Sequence, residues 1–361
     1  MSGIAPAVGA APAVGAAPAV GPAPTHRATS TSPLAQAPVV AEVVRNGFVE
    51  SVHHGVVAVT AADGSLALAA GPVDAPVLPR SSLKPLQALA MLRAGAALEG
   101  ELLALACASH SGEPFHLEGA LRILAGAGLD PSALQNTPDR PIDEGERERW
   151  AREGLTPSSL AQNCSGKHAG MLAACVASGW DAATYREPDH PFQRLVVEVV
   201  EELTGERAAA TTVDGCGAPA LAVSCAGLAR AYGRLAAAAP GTLKRRVADA
   251  MHEHPEWVGG TGRDNTVLMR GVPGLIAKDG AESVYAVGLA DGRGACVKIT
   301  DGAQRARVVV TTAALRLVGA GSLGPEVDAT LDRLDAEAVV KGHGIPVGAV
   351  RAVDLTGFVA G

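Results

Sequence analysis

"RSSLKPLQALAML", residues 80–92, joins a strand-like region to a helical one and places a serine three positions before a lysine. Residues three apart on a helix share a face, so the Lys84 amine can reach the Ser81 hydroxyl and, if desolvated, take its proton. Pro85 is tolerated only in a first helical turn, which predicts a helix beginning at about Ser81 or Ser82. An N-capping serine beside a solvated lysine fits the same residues.

Strand-like runs lie on both sides of this segment. Before it are "VVAEVV", "FVESV", "GVVAVTA" and "SLALAA", and towards the C-terminus are "SVYAVGLA", "GACVKIT" and "RARVVVT". Apolar residues recur at helical spacing between them, which predicts helices over 82–94, 117–127, 167–179, 191–204, 218–237 and 241–254, with a last helix over 313–318. The pattern predicts an α+β fold whose antiparallel sheet is built from N- and C-terminal segments, with a helical region inserted and a site in the cleft between the layers.

The composition excludes two classes of partner. Acidic residues outnumber basic ones, 37 to 30, and no dense block of Lys or Arg occurs, so we expect no nucleic-acid partner. No run approaches about 18 uninterrupted apolar residues, so we expect no membrane span. The six cysteines follow no export signal and are expected to be reduced thiols of a cytoplasmic protein.

The N-terminus repeats "APAVGA" and its variant "APAVGP" from Ala5 to Pro22. A repeat this short and proline-rich builds no packed unit, so residues 1–36 are predicted to be a disordered tail. Residues 37–361 are then expected to form the folded domain that carries the candidate site residues.

"CASHSGEPFH", residues 107–116, delivers four polar side chains after an apolar run: Ser109, His110, Ser111 and Glu113. Such a density of hydrogen-bonding groups is typical of site loops. A turn followed by the N-cap of the next helix explains the segment equally well.

Lys278, in "AKDGAES", completes a three-part order. Ser-x-x-Lys, a serine-rich loop and Lys-x-Gly on an edge strand follow the layout of penicillin-binding proteins and serine β-lactamases. Here the second and third parts are "SHS" and "KDG", which differ from those motifs. The layout therefore supports acyl-serine chemistry more than β-lactam specificity.

Two cysteines lie among glycines and polar residues. Cys164 in "NCSGKH", Cys216 in "DGCG" and Lys167 could place two sulfurs and an amine around a zinc ion. Lysine is a rare ligand because it must first lose its proton. Reactive thiols, or small residues in tight loops, are the alternatives.

Three further charged residues are candidate substrate contacts. Asp214 suits a substrate ammonium, and Arg80 suits a carboxylate because a guanidinium can grip both oxygens. Arg263, in the polar turn "GTGRDN", is a candidate anion contact. Surface ion pairs and a glycine-built bend are the alternatives.

Taken in series, "RSSLKPLQAL", "CASHSGEPFH", "NCSGKHAGML", "EPDHPFQ", "VDGCGAPALA", "GTGR" and "KDGAES" resemble the bacterial asparaginases of the rhizobial type, the asparaginase II family, from about Val40 to the C-terminus. The resemblance implies hydrolysis of L-asparagine to L-aspartate and ammonia. It also implies a fold similar to the serine β-lactamases and penicillin-binding proteins, and a homodimer.

Site residues follow from the same resemblance. Ser81 with Lys84 is the implied nucleophile and base, and Ser109 or Ser111 with Lys278 is the second hydroxyl and amine pair. Zinc beside the substrate is implied at Cys164, Lys167 and Cys216. The implied substrate-binding residues are Arg80, Asp214, His168, Asn163, Glu113 and Arg263.

The chain departs from the family at two positions. The family more often has a small apolar residue where Asp279 stands and glycine where Ser283 stands, so a carboxylate beside Lys278 is expected to alter the pKa of that amine. Hydrolysis of glutamine or a β-lactam by the same acyl-serine chemistry, and a catalytically silent zinc-binding or ligand-sensing protein, are the alternative functions.

Overall fold

The central sheet draws its strands from both ends of the chain, in a computed structural model that describes residues 32–359. The strands are β1 Val39–Arg45, β2 Phe48–Thr60, β3 Leu66–Ala70, β4 Pro76–Val77, β5 Ala210–Val213, β6 Pro219–Ser224, β7 Ile276–Gly280, β8 Val284–Gly288, β9 Gly294–Ile299, β10 Val339–Gly342 and β11 Ile345–Ala352. Seven of them form the order β10-β11-β1-β2-β9-β8-β7, and β3 also pairs with β2. All of these pairs are antiparallel.

The helices lie mostly between the two groups of strands. They are α1 Lys84–Arg93, α2 Gly100–Ala106, α3 Pro114–Gly126, α4 Glu144–Arg152, α5 Ser165–Ser178, α6 Pro191–Thr204, α7 Cys225–Ala236, α8 Leu243–Glu253, α9 Pro255–Val258, α10 Asp264–Gly271, α11 Arg307–Leu317 and α12 Pro325–Ala336. A second, small antiparallel sheet has the order β4-β6-β5. The predicted α+β architecture, with sheet segments at both ends and helices inserted, is confirmed.

Two helices sandwich the middle of the large sheet. Every residue of β7, β8 and β9 is buried, and because successive side chains point to opposite faces, both faces are covered. Helix α7 packs on β2, β8 and β9, and α11 packs on β8, β9 and β11. Glycine permits the close approach of α7, since a Cβ on Gly294 would lie 2.0 Å from the Ala229 carbonyl oxygen.

Helix α1 is the centre of the helical layer. It packs against α5, α6 and α8, and all but its last residue are buried. Pro85 lies in its first turn, where its missing N–H costs nothing. Helix α5 begins directly after Cys164 and ends at Gly179, whose positive φ of 67° suits glycine. The two helices therefore present their N-terminal ends, and the site segments attached to them, from fixed positions.

Several sequence predictions of secondary structure are wrong. The last helix is α12, Pro325–Ala336, and not residues 313–318. Residues 305–311 were expected as a strand but enter α11, because a valine run buried against β9 is compatible with either geometry. The helix expected over 218–237 is divided, with β6 first and α7 after the Ser224 N-cap. The runs "FVESV" and "GVVAVTA", expected as two strands, form one, since β2 continues through the "HHG" segment between them.

The described part of the predicted tail is structured. Pro33–Gln36 forms a turn of 3₁₀ helix, and Leu34 packs against the hydrophobic core. The rest of the predicted tail, residues 1–31, lies outside the described residues. Between residues 32 and 359, no helix is long and apolar enough to cross a bilayer.

Candidate active site

Ser81 lies in a turn that its neighbours fix against the sheet. Residues Arg80–Leu83 form a 3₁₀ turn directly before α1, and Arg80 has a positive φ of 54°, an uncommon conformation for a residue with a side chain. The Ser82 hydroxyl donates to the Lys278 carbonyl oxygen at 3.0 Å, and the Tyr232 hydroxyl donates to the Ser82 carbonyl oxygen at 2.7 Å. This leaves the Ser81 side chain in the wall of a cavity of about 1190 Å³.

Lys84, the first residue of α1, is buried behind that wall. Its Nζ donates to the Ser109 hydroxyl at 2.9 Å, to the Cys164 sulfur at 3.1 Å and to the Ala108 carbonyl oxygen. Among the described residues, the Ser81 hydroxyl is not one of its hydrogen-bond partners. The amine thus joins the serine-rich loop to the cysteine segment.

The serine-rich loop is held by main-chain hydrogen bonds to two other segments. Ser109 N donates to Val258 O at 3.2 Å, Ser111 N to Gly259 O at 2.8 Å, and His110 N to Asn163 O at 3.1 Å. Ser109, Ser111 and Asn163 line the same cavity as Ser81. The loop is therefore a fixed part of the cavity wall.

Glu113 lies at the end of this loop. Its carboxylate accepts hydrogen bonds from Thr261 N at 2.8 Å and Thr261 Oγ1 at 2.7 Å. It fastens the turn that carries Arg263. The structure thus gives Glu113 a bracing contact, and its predicted contact with substrate stays a prediction.

Lys278, on the edge strand β7, is fully buried beside a carboxylate. Its Nζ donates to Asp279 Oδ1 and, at 2.8 Å, to the Asp279 carbonyl oxygen. Asp279 also accepts from Arg263 at 2.9 Å and lies 3.7 Å from Arg307. Burial lowers the pKa of Lys278 to about 8, although Asp279 opposes this shift. The Asp279 carboxyl stays ionised despite its burial, because Lys278, Arg263 and Arg307 hold its pKa well below the usual range.

The two predicted metal-binding cysteines come together, and both are buried. The Cys216 thiol donates a hydrogen bond to the Cys164 sulfur. This bond, together with the nearby Lys84 and Lys167 amines, holds the pKa of Cys164 well below its usual value. The same hydrogen bond and burial raise the pKa of Cys216. Lys167 Nζ donates to the Cys216 sulfur at 3.1 Å. Burial favours the neutral form of Lys167, but Cys216, Cys164 and Asp214 raise its pKa overall.

Arg80 and Asp214 pair with each other, at 2.7 Å from Nη2 to Oδ1. Although burial favours the protonated form of Asp214, Lys167 and Arg80 lower its pKa. His168 is fully buried, and its Nδ1 forms a hydrogen bond of 2.6 Å with the Tyr185 hydroxyl. Burial, reinforced by Lys167, lowers the pKa of His168 well below its usual value, so the imidazole is neutral. Its Nε2 has no hydrogen-bond partner among residues 32–359.

The structure brings the predicted residues into one region but changes their hydrogen-bonded pairs. Lys84 was predicted to contact Ser81 but hydrogen-bonds Ser109. Lys278 was predicted to pair with Ser109 or Ser111 but hydrogen-bonds Asp279. The predicted residues that line the cavity are Ser81, Ser109, Ser111, Asn163 and Arg263. Lys84 hydrogen-bonds one of them, Ser109, and Lys278 pairs with Asp279, which also lines the cavity.

Sequence reasoning missed Arg307 and Tyr185. Arg307 was assigned to a strand, so nothing suggested that it would reach the Asp279 carboxylate from α11. Tyr185 precedes "EPDHPFQ" by two positions, but a lone tyrosine carries no signal that it will hold His168. Both contacts are created by tertiary packing.

Comparison with known proteins gives a family and several solved structures. The family model for L-asparaginase II matches residues 41–352. No curated protein sequence matches significantly. A β-lactamase from Mycobacterium bovis is similar over 78% of this chain and 94% of its own, at 14% identity and a TM-score of 0.40. A crystal structure of Mglu is similar over 80% of this chain and 72% of its own, at 17% identity and a TM-score of 0.40. Simvastatin synthase from Aspergillus terreus is similar over 68% of this chain and 84% of its own, at 10% identity and a TM-score of 0.33.

Proposed function

The chain belongs to the L-asparaginase II family, and we propose that it hydrolyses the side-chain amide of L-asparagine to L-aspartate and ammonia. One observation carries the proposal. Serine hydroxyls line a large cavity, and the buried Lys84 amine lies 2.9 Å from one of them, Ser109 Oγ, while the buried Lys278 amine is paired with Asp279 in the same cavity wall. A hydroxyl becomes a useful nucleophile at neutral pH when an adjacent base takes its proton.

The reaction we propose passes through an acyl-serine ester. The Ser81 oxygen attacks the amide carbon, the C–N bond breaks, and ammonia leaves with a proton returned by a lysine. Water then cleaves the ester to release aspartate. Ser81 is the candidate nucleophile because it lies in the cavity wall at the start of α1, where the helix N-terminus favours negative charge. Ser109, bonded to Lys84, is the second hydroxyl.

Lys278 supplies the amine best suited to proton transfer. A pKa of about 8 leaves a useful fraction of neutral amine near physiological pH, which matches the requirement for a general base. Its carbonyl oxygen also accepts from Ser82, so strand β7 is joined to the Ser81 turn. Lys84, in contact with the Ser109 hydroxyl, is the second candidate base and exchanges its proton through that hydroxyl.

The ion pair of Arg80 and Asp214 suits an amino acid ligand. An α-carboxylate can take the place of Asp214 on the guanidinium, while the α-ammonium takes the place of Arg80 on the carboxylate. Such an exchange keeps every buried charge paired. His168 is neutral, fully buried and not among the described residues that line the cavity, so its contact with the ligand stays a prediction.

The cysteine pair fits zinc in ligand type. Cys164 and Cys216 offer two sulfurs joined by one hydrogen bond, and Lys167 offers an amine 3.1 Å from Cys216. Within residues 32–359, no group of three or more His, Cys, Asp and Glu side chains could hold a metal, so a zinc ion at the two cysteines would need Lys167 as its third protein ligand. Zinc bound there would act as a Lewis acid that orients a substrate oxygen. The Cys216 thiol and the Lys167 ammonium must lose their protons first, so affinity should rise with pH.

Glutamine hydrolysis is a second candidate. A cavity of about 1190 Å³ exceeds the needs of a single small amino acid, so an amide one methylene longer meets no evident barrier of volume. One methylene is worth only ~1–3 kcal/mol of discrimination in an apolar pocket. Polar contacts to the ligand ends must therefore decide the preference.

The test is ammonia release from asparagine and from glutamine, with and without zinc. Ser81→Ala should lose several orders of magnitude in kcat, and Ser109→Ala should lose less. Ser65→Ala, on the turn between β2 and β3, is the matched control because its hydroxyl bonds only locally to Asp63. Substantial turnover in Ser81→Ala would remove that residue from the nucleophile role. If the parent releases no ammonia from either amide, the alternative of a catalytically silent ligand-binding protein is favoured.

We also propose a homodimer in the cytoplasm. Apolar side chains at two hairpin turns support an interface: Phe48 is 73% exposed and Ile345 is 63% exposed. The turns are neighbours, since Asn46 N donates to Val347 O at 2.7 Å. Six buried, unpaired cysteines suit a reducing compartment. Sedimentation velocity of Phe48→Ser beside the parent tests the interface.

A further inference from the structure

Asp279 is a buried carboxylate in the wall of the cavity, only 7% exposed. Burying an ionised carboxylate is costly unless it is paired and hydrogen-bonded. Its partners are three cations from three separate elements. Lys278 is its neighbour on β7, Arg263 precedes α10, and Arg307 begins α11.

The contacts of Asp279 lead to both sides of the catalytic region. On one side it receives the Lys278 ammonium at Oδ1. On the other, Arg263 donates to Asp279 Oδ2 at 2.9 Å and to the Ser109 carbonyl oxygen at 3.3 Å. Asp279 is therefore the one carboxylate, among the described residues, that connects the Lys278 amine to the serine-rich loop.

The remaining charged and titratable groups around Lys278 are mostly cationic. Lys84 on α1 and Arg263 both disfavour its charged form, and the Cys107 thiol beyond α2 also faces it. Arg307 is shared with Asp264 on α10, at 3.0 Å. Asp279 is the carboxylate in direct contact with the amine, so it is the group that compensates for these cations.

We propose that Asp279 is a positioning residue, which anchors the Lys278 amine in the cavity wall, ties it through Arg263 to the Ser109 loop, and opposes the loss of its proton. The inference rests on the proposed function in giving Lys278 a part in proton transfer. It goes further, because it assigns the position and protonation of the Lys278 amine to Asp279, a carboxylate that is neither a candidate nucleophile nor a candidate base.

The direction of the effect follows from charge. Burial lowers the pKa of Lys278 to about 8, and Asp279 acts in the opposite direction. Removing the carboxylate leaves burial and the neighbouring cations unopposed, so the pKa must fall further. An opposite charge in contact typically contributes about 1–3 pH units. If neutral Lys278 is the base, the acid limb of the pH profile of kcat/KM moves to lower pH by about one unit or more.

The experiment compares Asp279→Asn, Asp279→Glu and the parent. Asn keeps the shape and a hydrogen-bond acceptor without the charge, and Glu restores the charge. Ammonia release is measured across pH, and the Lys278 pKa is measured directly by NMR of ¹³Cε-labelled lysine. The chain has only six lysines, so Lys278→Arg assigns the resonance. Asp264→Asn is the matched control, since it removes a carboxylate from Arg307 without touching Lys278.

Each outcome decides something. A lower Lys278 pKa in Asp279→Asn, recovery in Asp279→Glu and a smaller change in Asp264→Asn support the inference. An unchanged Lys278 pKa in Asp279→Asn overturns it. A parent without amidase activity defeats the proposed function alone, because the NMR titration still measures what Asp279 does to Lys278.

Discussion

Replacing Lys84 by methionine tests the serine and lysine chemistry most directly. Methionine has nearly the length and volume of the lysine stem, so the buried channel stays filled while the amine is removed. Three acceptors lose a donor in the variant: Ser109 Oγ, the Cys164 sulfur and the Ala108 carbonyl oxygen. The change therefore removes polar contacts and catalytic capacity without creating a cavity.

The expected magnitude has two parts. A positioned general base contributes typically about 10²–10⁴ in rate, so kcat/KM should fall by about that factor, or ~3–5 kcal/mol of transition-state stabilisation. A buried carbonyl left without its donor costs ~1–3 kcal/mol of stability, partly offset because a buried ammonium no longer needs desolvation. The Tm should fall by only a few degrees.

The assay is ammonia release at saturating and limiting asparagine, with a melting curve for each variant. Lys298→Met is the control, since Lys298 is also largely buried but donates to Glu282 O. It should keep its activity. Lys84→Met retaining more than about a tenth of parental kcat/KM, in a folded protein, would refute the role of this amine, because even the weakest general-base contribution is about a hundredfold.

Three further outcomes are expected. Deleting residues 1–31 should change neither Tm nor activity, because a repeat this short and proline-rich is predicted to build no packed unit; a drop of several degrees in a melting curve would contradict this. Cys216→Ser should lower zinc content by elemental analysis and raise KM more than it lowers kcat; unchanged zinc would exclude it as a ligand. Gly280→Ala should lower Tm and kcat/KM and cost ~1–3 kcal/mol of stability, because the added Cβ would lie 2.2 Å from the Pro79 carbonyl oxygen, beside the Ser81 turn. Gly357→Ala is the control: its Cβ would meet no atom within 4 Å, so this variant should match the parent.

The sequence predicts the layers of this fold well because periodicity reports burial. Helix α6 was predicted over its observed bounds, since Pro191 opens it and Gly205 follows it in a left-handed conformation. The edge-strand position of Lys278 was likewise correct. Residues 305–311 show the limit. A run of valines is buried in either a strand or a helix, and only packing on β9 decides between them.

The sequence predicts a set of candidate site residues and does not predict their contacts. Spacing placed Ser81 and Lys84 on one helical face, but Ser81 belongs to a 3₁₀ turn and Lys84 begins α1. The lysine side chain is long enough to leave that face. It finds acceptors at Ser109 and Cys164, which are 25 and 80 residues away in sequence. Local spacing contains no information about acceptors that tertiary folding brings near.

Lys278 and Asp279 show why a charge network is harder still to predict. Neighbours on a strand point to opposite faces, which argues against a direct contact between their side chains. Yet the amine reaches Asp279 because both faces of β7 are buried, and a buried ammonium must find an anion. The carboxylate in turn requires Arg263 and Arg307, from segments before and after the strand. Desolvation is not visible in any local sequence pattern. It selects this pairing, and it makes the charge state of Lys278 depend on its neighbour Asp279 and on two distant segments of the chain.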